Sequence, residues 1–120
     1  MQYLLLVYTD ESIGPAPDST EEEVMWAAHE IFSHAMEKSG AMVAGRALHP
    51  SDTATTVRCR DGATLTSDGL LSPTVEQLAG FYLIEAVDLD AAIDAASRAP
   101  CATYGSVEVR PVVNLSPAPT

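Results

Sequence analysis

Three histidines, His29, His34 and His49, are the side chains of this sequence that titrate near neutrality unaided. His29 follows Trp26 by three residues, so on a helix the two share a face. An imidazole placed there suits a general base that abstracts a proton α to a carbonyl. The structural alternative is a half-exposed helix histidine packed beside a tryptophan. His49 precedes Pro50 at the end of a strand pattern, and loop positions on rigid strands often carry function, so it reads as a ligand hydrogen-bonding group. His34 lies five positions from His29, points away from it on a helix, and reads as surface.

Asp68 precedes Gly69. Turn chemistry alone accounts for the pair, with Asp bonding its own backbone and Gly supplying a positive φ. The functional reading is a carboxylate that orients a histidine and raises its basicity. Arg46 and Arg110 fall in strand patterns, where a guanidinium facing a cleft can hold a carboxylate bidentately. Arg110 also has Glu108 two residues away on its own face, so an Arg–Glu pair across a dimer is the plainer account. Tyr8 and Tyr82 belong to apolar strands, where a buried hydroxyl needs a partner, either protein or ligand.

Other chemistry is poorly supported. Cys59 and Cys101 have neither CxxC nor ligand spacing and read as two free, buried thiols. His29 and His34 do not converge on a metal. No phosphate loop, dinucleotide-binding glycine pattern or nucleophile elbow is present, so neither metal nor cofactor is expected. The net charge is −11, from 17 acids and 6 Lys/Arg. Residues 1–37 hold eight acids and no Lys or Arg. Such a chain does not suit nucleic acid or an anionic membrane surface, both of which call for clustered cations. No run approaches the roughly 20 apolar residues of a membrane span. The start has no cationic flank and only a short apolar run, unlike a signal peptide, so a cytoplasmic location is expected.

The elements that must position these side chains are legible. At 120 residues one domain is expected, over 1–115, with a frayed tail at 116–120. Residues 2–9 read as an unbroken apolar run, a strand buried on both faces, and residues 80–86 as another strand apolar on both faces. Ser19 and Glu22 have capping-box spacing, and the helix they open runs to Gly40. Its expected apolar row is Val24, Ala28, Ile31 and Ala35, widened by Met25, Phe32 and Met36. A strand at 41–48 follows. Residues 54–60 and about 63–67, joined by Asp61-Gly62, form a solvent-facing hairpin. The stretch from Asp68 to Gln77 reads as irregular. Asp88 caps a second helix with Leu89, Ala92, Ile93 and Ala96 at helical spacing; Pro100 stops it, and a strand at 106–113 closes the chain.

The order β-α-β, hairpin, β-α-β is that of an α+β fold, the ferredoxin-like split βαβ with an inserted β-hairpin. Two helices cover one face of such a sheet. The other face, also apolar here, needs a cover, and a second copy supplies the same surface, so a homodimer is expected.

The motifs Gly80-Phe81-Tyr82 and Glu108-Val109-Arg110-Pro111, with Leu48-His49-Pro50 ahead of a hairpin and Asp68-Gly69 after it, resemble the YCII-related superfamily and its DGPF-type proteins. The resemblance covers residues 2 to 113. Leu70-Leu71 stand where those proteins have Pro-Phe, and Pro73 and Val75 where they have Glu and Lys. The resemblance implies a dimeric α/β barrel. It also implies that His29, eleven residues before Gly40, is the functional histidine. Relatives with known chemistry use a His–Asp pair as acid and base in lyase-type reactions on small ring-derived acids. Many DGPF-type members have no assigned activity, and some are encoded with sigma factors. The expectation is therefore an acid/base enzyme of lyase or isomerase type acting on a small organic acid. His29 and Asp68 would be catalytic, with Arg46, His49, Tyr82 and Arg110 at a small carboxylic-acid ligand. The alternative is a non-catalytic ligand-binding or transcription-accessory module.

Overall fold

In a computed structural model, which describes residues 1–114, the protein is an α+β fold of two helices and two antiparallel sheets. Strand β1 spans Gln2–Thr9, helix α1 Thr20–Lys38 and β2 Met42–Ala47. Strands β3 (Thr55–Arg60) and β4 (Ala63–Asp68) form the hairpin. Strand β5 (Gln77–Glu85), helix α2 (Leu89–Arg98) and β6 (Ser106–Pro111) complete the chain. The main sheet has the order β2-β5-β1-β6, with every pair antiparallel. Each β-α-β unit therefore straddles one strand of the other unit, which is compatible with the ferredoxin-like split βαβ. The expected tail at 116–120 lies outside the described residues.

Register explains which face is buried. Tyr3, Leu5 and Val7 of β1 pair with Ile84, Tyr82 and Gly80 of β5, and Leu5 and Val7 also pair with Val109 and Val107 of β6. Side chains alternate across a strand, so all of these share the face that meets the helices. Tyr3, Leu5, Val7 and Ile84 are buried there. Burial on both faces was expected of β1 and β5, and the single chain does not provide it. Leu4, Leu6, Tyr8, Phe81 and Leu83 on the far face are only half-buried, because both helices pack on the other side.

Helix α1 starts as its caps dictate. The Ser19 hydroxyl accepts from the Glu22 amide at 3.1 Å, and the Glu22 carboxylate reaches back to accept from the Asp18 amide at 3.2 Å. Ser19→Ala should cost about 1 kcal/mol in urea unfolding, because an amide of the first turn loses its acceptor. The buried face differs from the expected row. Val24, Ile31 and Ala35 are exposed, and Phe32 and Met36 are buried. The helix has two apolar stripes, and the sheet takes the one whose long side chains reach it. In α2 the expected Ala92 and Ala96 are buried with Ala95, whereas Leu89 and Ile93 are half-exposed. Small side chains let this helix lie close to the sheet, and the larger residues flank the contact.

Beyond α2, Pro100 opens a 3-10 turn, Pro100–Thr103, which leads through Tyr104 to β6. Cys101 is fully buried in it; Cys59, expected to be buried, is exposed on the hairpin, which has no core of its own. Asp61 and Gly62 both have positive φ (51° and 78°), as a type I′ hairpin turn requires. Asp68 ends β4 and is not part of the irregular stretch, and β5 begins at Gln77, earlier than the expected residue 80.

Candidate functional site

The centre of the site is the contact between α1 and the middle of β5. His29 Nδ1 lies 3.1 Å from the Tyr82 hydroxyl, and His29 Nε2 lies 2.9 Å from the Tyr104 hydroxyl. The imidazole is thus held between two tyrosines from distant parts of the chain. Tyr82 is itself clamped. Its ring meets Phe32 edge-on, with centroids 5.2 Å apart and planes at 70°. On its other side is Gly45 of β2, where an added Cβ would stand 2.9 Å from Tyr82 Cδ1. Only glycine leaves that ring its place. Tyr104 is set by the turn that follows α2, where the Tyr104 and Gly105 amides both donate to the Cys101 carbonyl. A Cβ on Gly105 would overlap the Tyr8 carbonyl, so the turn closes tightly against β1.

Burial holds this cluster uncharged at neutral pH. Desolvation pushes the His29 imidazole below its ordinary value of 6.5. Burial raises the Tyr82 hydroxyl; the Ser33 hydroxyl opposes that shift and Cys101 adds to it. Burial likewise raises Tyr104, helped by Cys101 and Tyr82, and raises the Cys101 thiol. A neutral imidazole has one N–H and one bare nitrogen. One tyrosine oxygen must therefore accept from the ring while the other hydroxyl donates to it, giving a directed Tyr–His–Tyr chain.

This chain lies on a cleft of about 930 Å³ between α1 and the edge strand β2. Trp26, half-exposed, has its ring centroid 6.3 Å from that of His29 and lines the same wall. At the mouth, the Glu11 carboxylate accepts from the Ser51 amide and hydroxyl, both at 2.8 Å. The Gln77 side-chain carbonyl accepts from the Glu11 amide at 2.9 Å. These bonds tie the loop after β1 to the turn after β2 and so fix His49 and Pro50 at the rim.

The residues singled out from the sequence divide into two groups. His29, Tyr82, Arg46 and His49 all belong to the cleft lining, but Arg46 pairs with Phe81, so its side chain starts from the face of the sheet opposite Tyr82. Arg46 donates to the Gly45 carbonyl at 2.6 Å. Asp68 and Arg110 do not line it. Asp68 ends the hairpin, paired with Thr55 and exposed, and both nitrogens of His29 have tyrosine partners instead. Arg110 lies on β6, at the opposite edge of the sheet from β2, and pairs with Glu108 at 3.6 Å. Arg46 and Arg110 of one protomer therefore cannot grip one small ligand. Tyr104 was not anticipated; the one local signal for it is its place in the tight turn between Pro100 and Gly105.

Tyr82→Phe should cost about 1–3 kcal/mol in urea unfolding, because Nδ1 loses its partner in a half-buried place. Nitrogen chemical shifts of His29 should at the same time change toward a mixture of tautomers. Unaltered shifts would show that Tyr104 alone orders the ring.

Among the described residues, no three His, Cys, Asp or Glu side chains gather as a metal site, and no helix is long and apolar enough to cross a membrane. The chain is 37% identical over 120 residues to an uncharacterized protein of Rhizobium meliloti (strain 1021), a match covering 98% of this chain and 96% of that relative. A family model of the YCII-related domain matches residues 1–116. The protein belongs to the YCII-related family.

Proposed function

We propose that this protein is a cytoplasmic, DGPF-type homodimer that closes into a dimeric α/β barrel and performs acid/base chemistry, of lyase or isomerase type, on a small organic acid. The observation that carries the reading is His29, neutral and held between two tyrosine hydroxyls on the wall of a large cleft. In the productive tautomer Nδ1–H donates to Tyr82, and Nε2 accepts from the Tyr104 hydroxyl. Nε2 is then the basic atom. Substrate displaces or borrows the Tyr104 hydroxyl, and a proton α to its carbonyl passes to Nε2. Tyr82 holds the tautomer, the task the sequence suggested for Asp68. His49, on the cleft rim, anchors the carboxylate; Arg46, paired with Phe81, starts from the other face of the sheet.

The homodimer reading has its own support. The far face of the sheet presents Leu4, Leu6, Tyr8, Phe81 and Leu83, all only half-buried in one protomer. A second copy offers the same surface in return.

A second reading, a non-catalytic ligand-binding or transcription-accessory module, is favoured by one observation: both nitrogens of His29 already have partners. One experiment separates the two. Small 2-oxo and cyclic carboxylic acids are incubated with the protein in D₂O, and loss of the α-proton signal is followed alongside the melting temperature. Exchange that depends on His29 supports the enzyme. A raised melting temperature without exchange supports the module.

A further inference from the structure

Among the described residues, the β3–β4 hairpin packs on no other element of its own chain to any substantial extent. Every residue of β4 is exposed, as is every residue of β3 but Thr56. A lone two-stranded hairpin is at best marginally stable in water, and six residues per strand give it a reach of about 20 Å. Its two faces differ. Arg58 pairs with Leu65 and Arg60 with Ala63, so one face presents two guanidiniums around a half-exposed leucine. Neither arginine has an acidic partner among the described residues.

The matching surface is the cleft. Glu22, Glu30 and Glu37 of α1 line it, Trp26 adds apolar area on the same helix, and Leu48 adds more after β2. Neither Glu30 nor Glu37 has a cationic partner among the described residues. The arm's own cleft does not receive it, since the arm is exposed along its length.

We propose that the arm docks across the cleft of a second copy, with Arg58 and Arg60 against that copy's α1 glutamates and Leu65 over its apolar rim. This rests on the homodimer proposed above. Opposite charges steer the two surfaces together, and a guanidinium can also stack on the Trp26 ring. Exchange of arms across a two-fold axis forms the contact twice. Each cleft is then roofed by its partner's arm, which makes the site complete only in the dimer.

Sedimentation equilibrium in low and high salt tests this. Arg58→Glu with Arg60→Glu should weaken the dimer about tenfold at low salt and less at high salt. Glu30→Arg with Glu37→Arg should do the same, and a chain carrying all four changes should regain the dimer. In a Cys59→Ser background, a thiol introduced by Leu65→Cys should react more slowly once the protein is dimeric. A dimer indifferent to both charge reversals, with that thiol equally reactive, overturns the arm contact and leaves the homodimer standing. A monomer at every concentration overturns both.

Discussion

On the acid/base reading proposed above, replacing His29 with alanine should lower proton exchange or turnover of a small organic acid by about 10²- to 10⁴-fold, the range for loss of a positioned general base. The fold should survive, because His29 contributes two hydrogen bonds at the cleft wall and is not part of the buried core. Tyr104→Phe separates relay from positioning. If the hydroxyl passes the proton, turnover falls and KM is little changed; if it only seats the ring, the pH profile moves instead. Turnover unaffected by His29→Ala, with a substrate in hand, would end the assignment.

The same residue sets a pH dependence. Its pKa lies below 6.5 in the folded state because desolvation disfavours the imidazolium. Between the folded value and 6.5 the unfolded chain binds more protons than the folded one, so stability rises with pH in that window. Full stability from this group is present above 6.5, declines as the pH falls through 6.5, and reaches its floor below the folded value. Urea midpoints measured from about pH 5 to 8 should show this slope in the wild type, and His29→Gln should reduce it.

Ile84→Ala, or Leu5→Ala, should cost about 2–5 kcal/mol, a large share of what a domain this size has. Both side chains are 0% exposed. Leu5 lies on the central strand β1, opposite Tyr82 on β5 and Val109 on β6. Ile84 lies opposite Tyr3 on β1 and Met42 on β2. A cavity at either place cannot collapse easily between three strands and a helix layer. The urea midpoint should drop with little change in slope. The control is Leu65→Ala on the exposed arm, which should change monomer stability by less than about 0.5 kcal/mol. A comparable loss from both would show that the arm packs on its own chain.

Much of the fold was legible because local chemistry and tertiary structure agree. Ser19 and Asp88 cap the two helices, Pro100 follows the second, and Asp61-Gly62 turns the hairpin. Each of these acts through its own backbone neighbours. The buried face of α1 was not legible. Val24 and Ile31 are as regularly spaced as Met25, Phe32 and Met36, and only the position of Tyr82 and the sheet chooses between the stripes. Cys59 was misplaced although the hairpin was expected to face solvent: the general tendency of free thiols to be buried was applied to a strand that leaves both of its faces exposed.

The sequence by itself determined the elements, the split order of strands and helices, the acidic first third and His29 as the base to test. Tertiary structure alone decided what surrounds that base. Tyr82 and Tyr104 lie 53 and 75 residues from His29, and no local spacing links them. They meet because β5 occupies the middle of the sheet, because Gly45 leaves room for the Tyr82 ring, and because the turn after α2 closes on β1. The same topology placed Asp68 on an arm and Arg110 on the far edge, so neither joins His29 within one protomer.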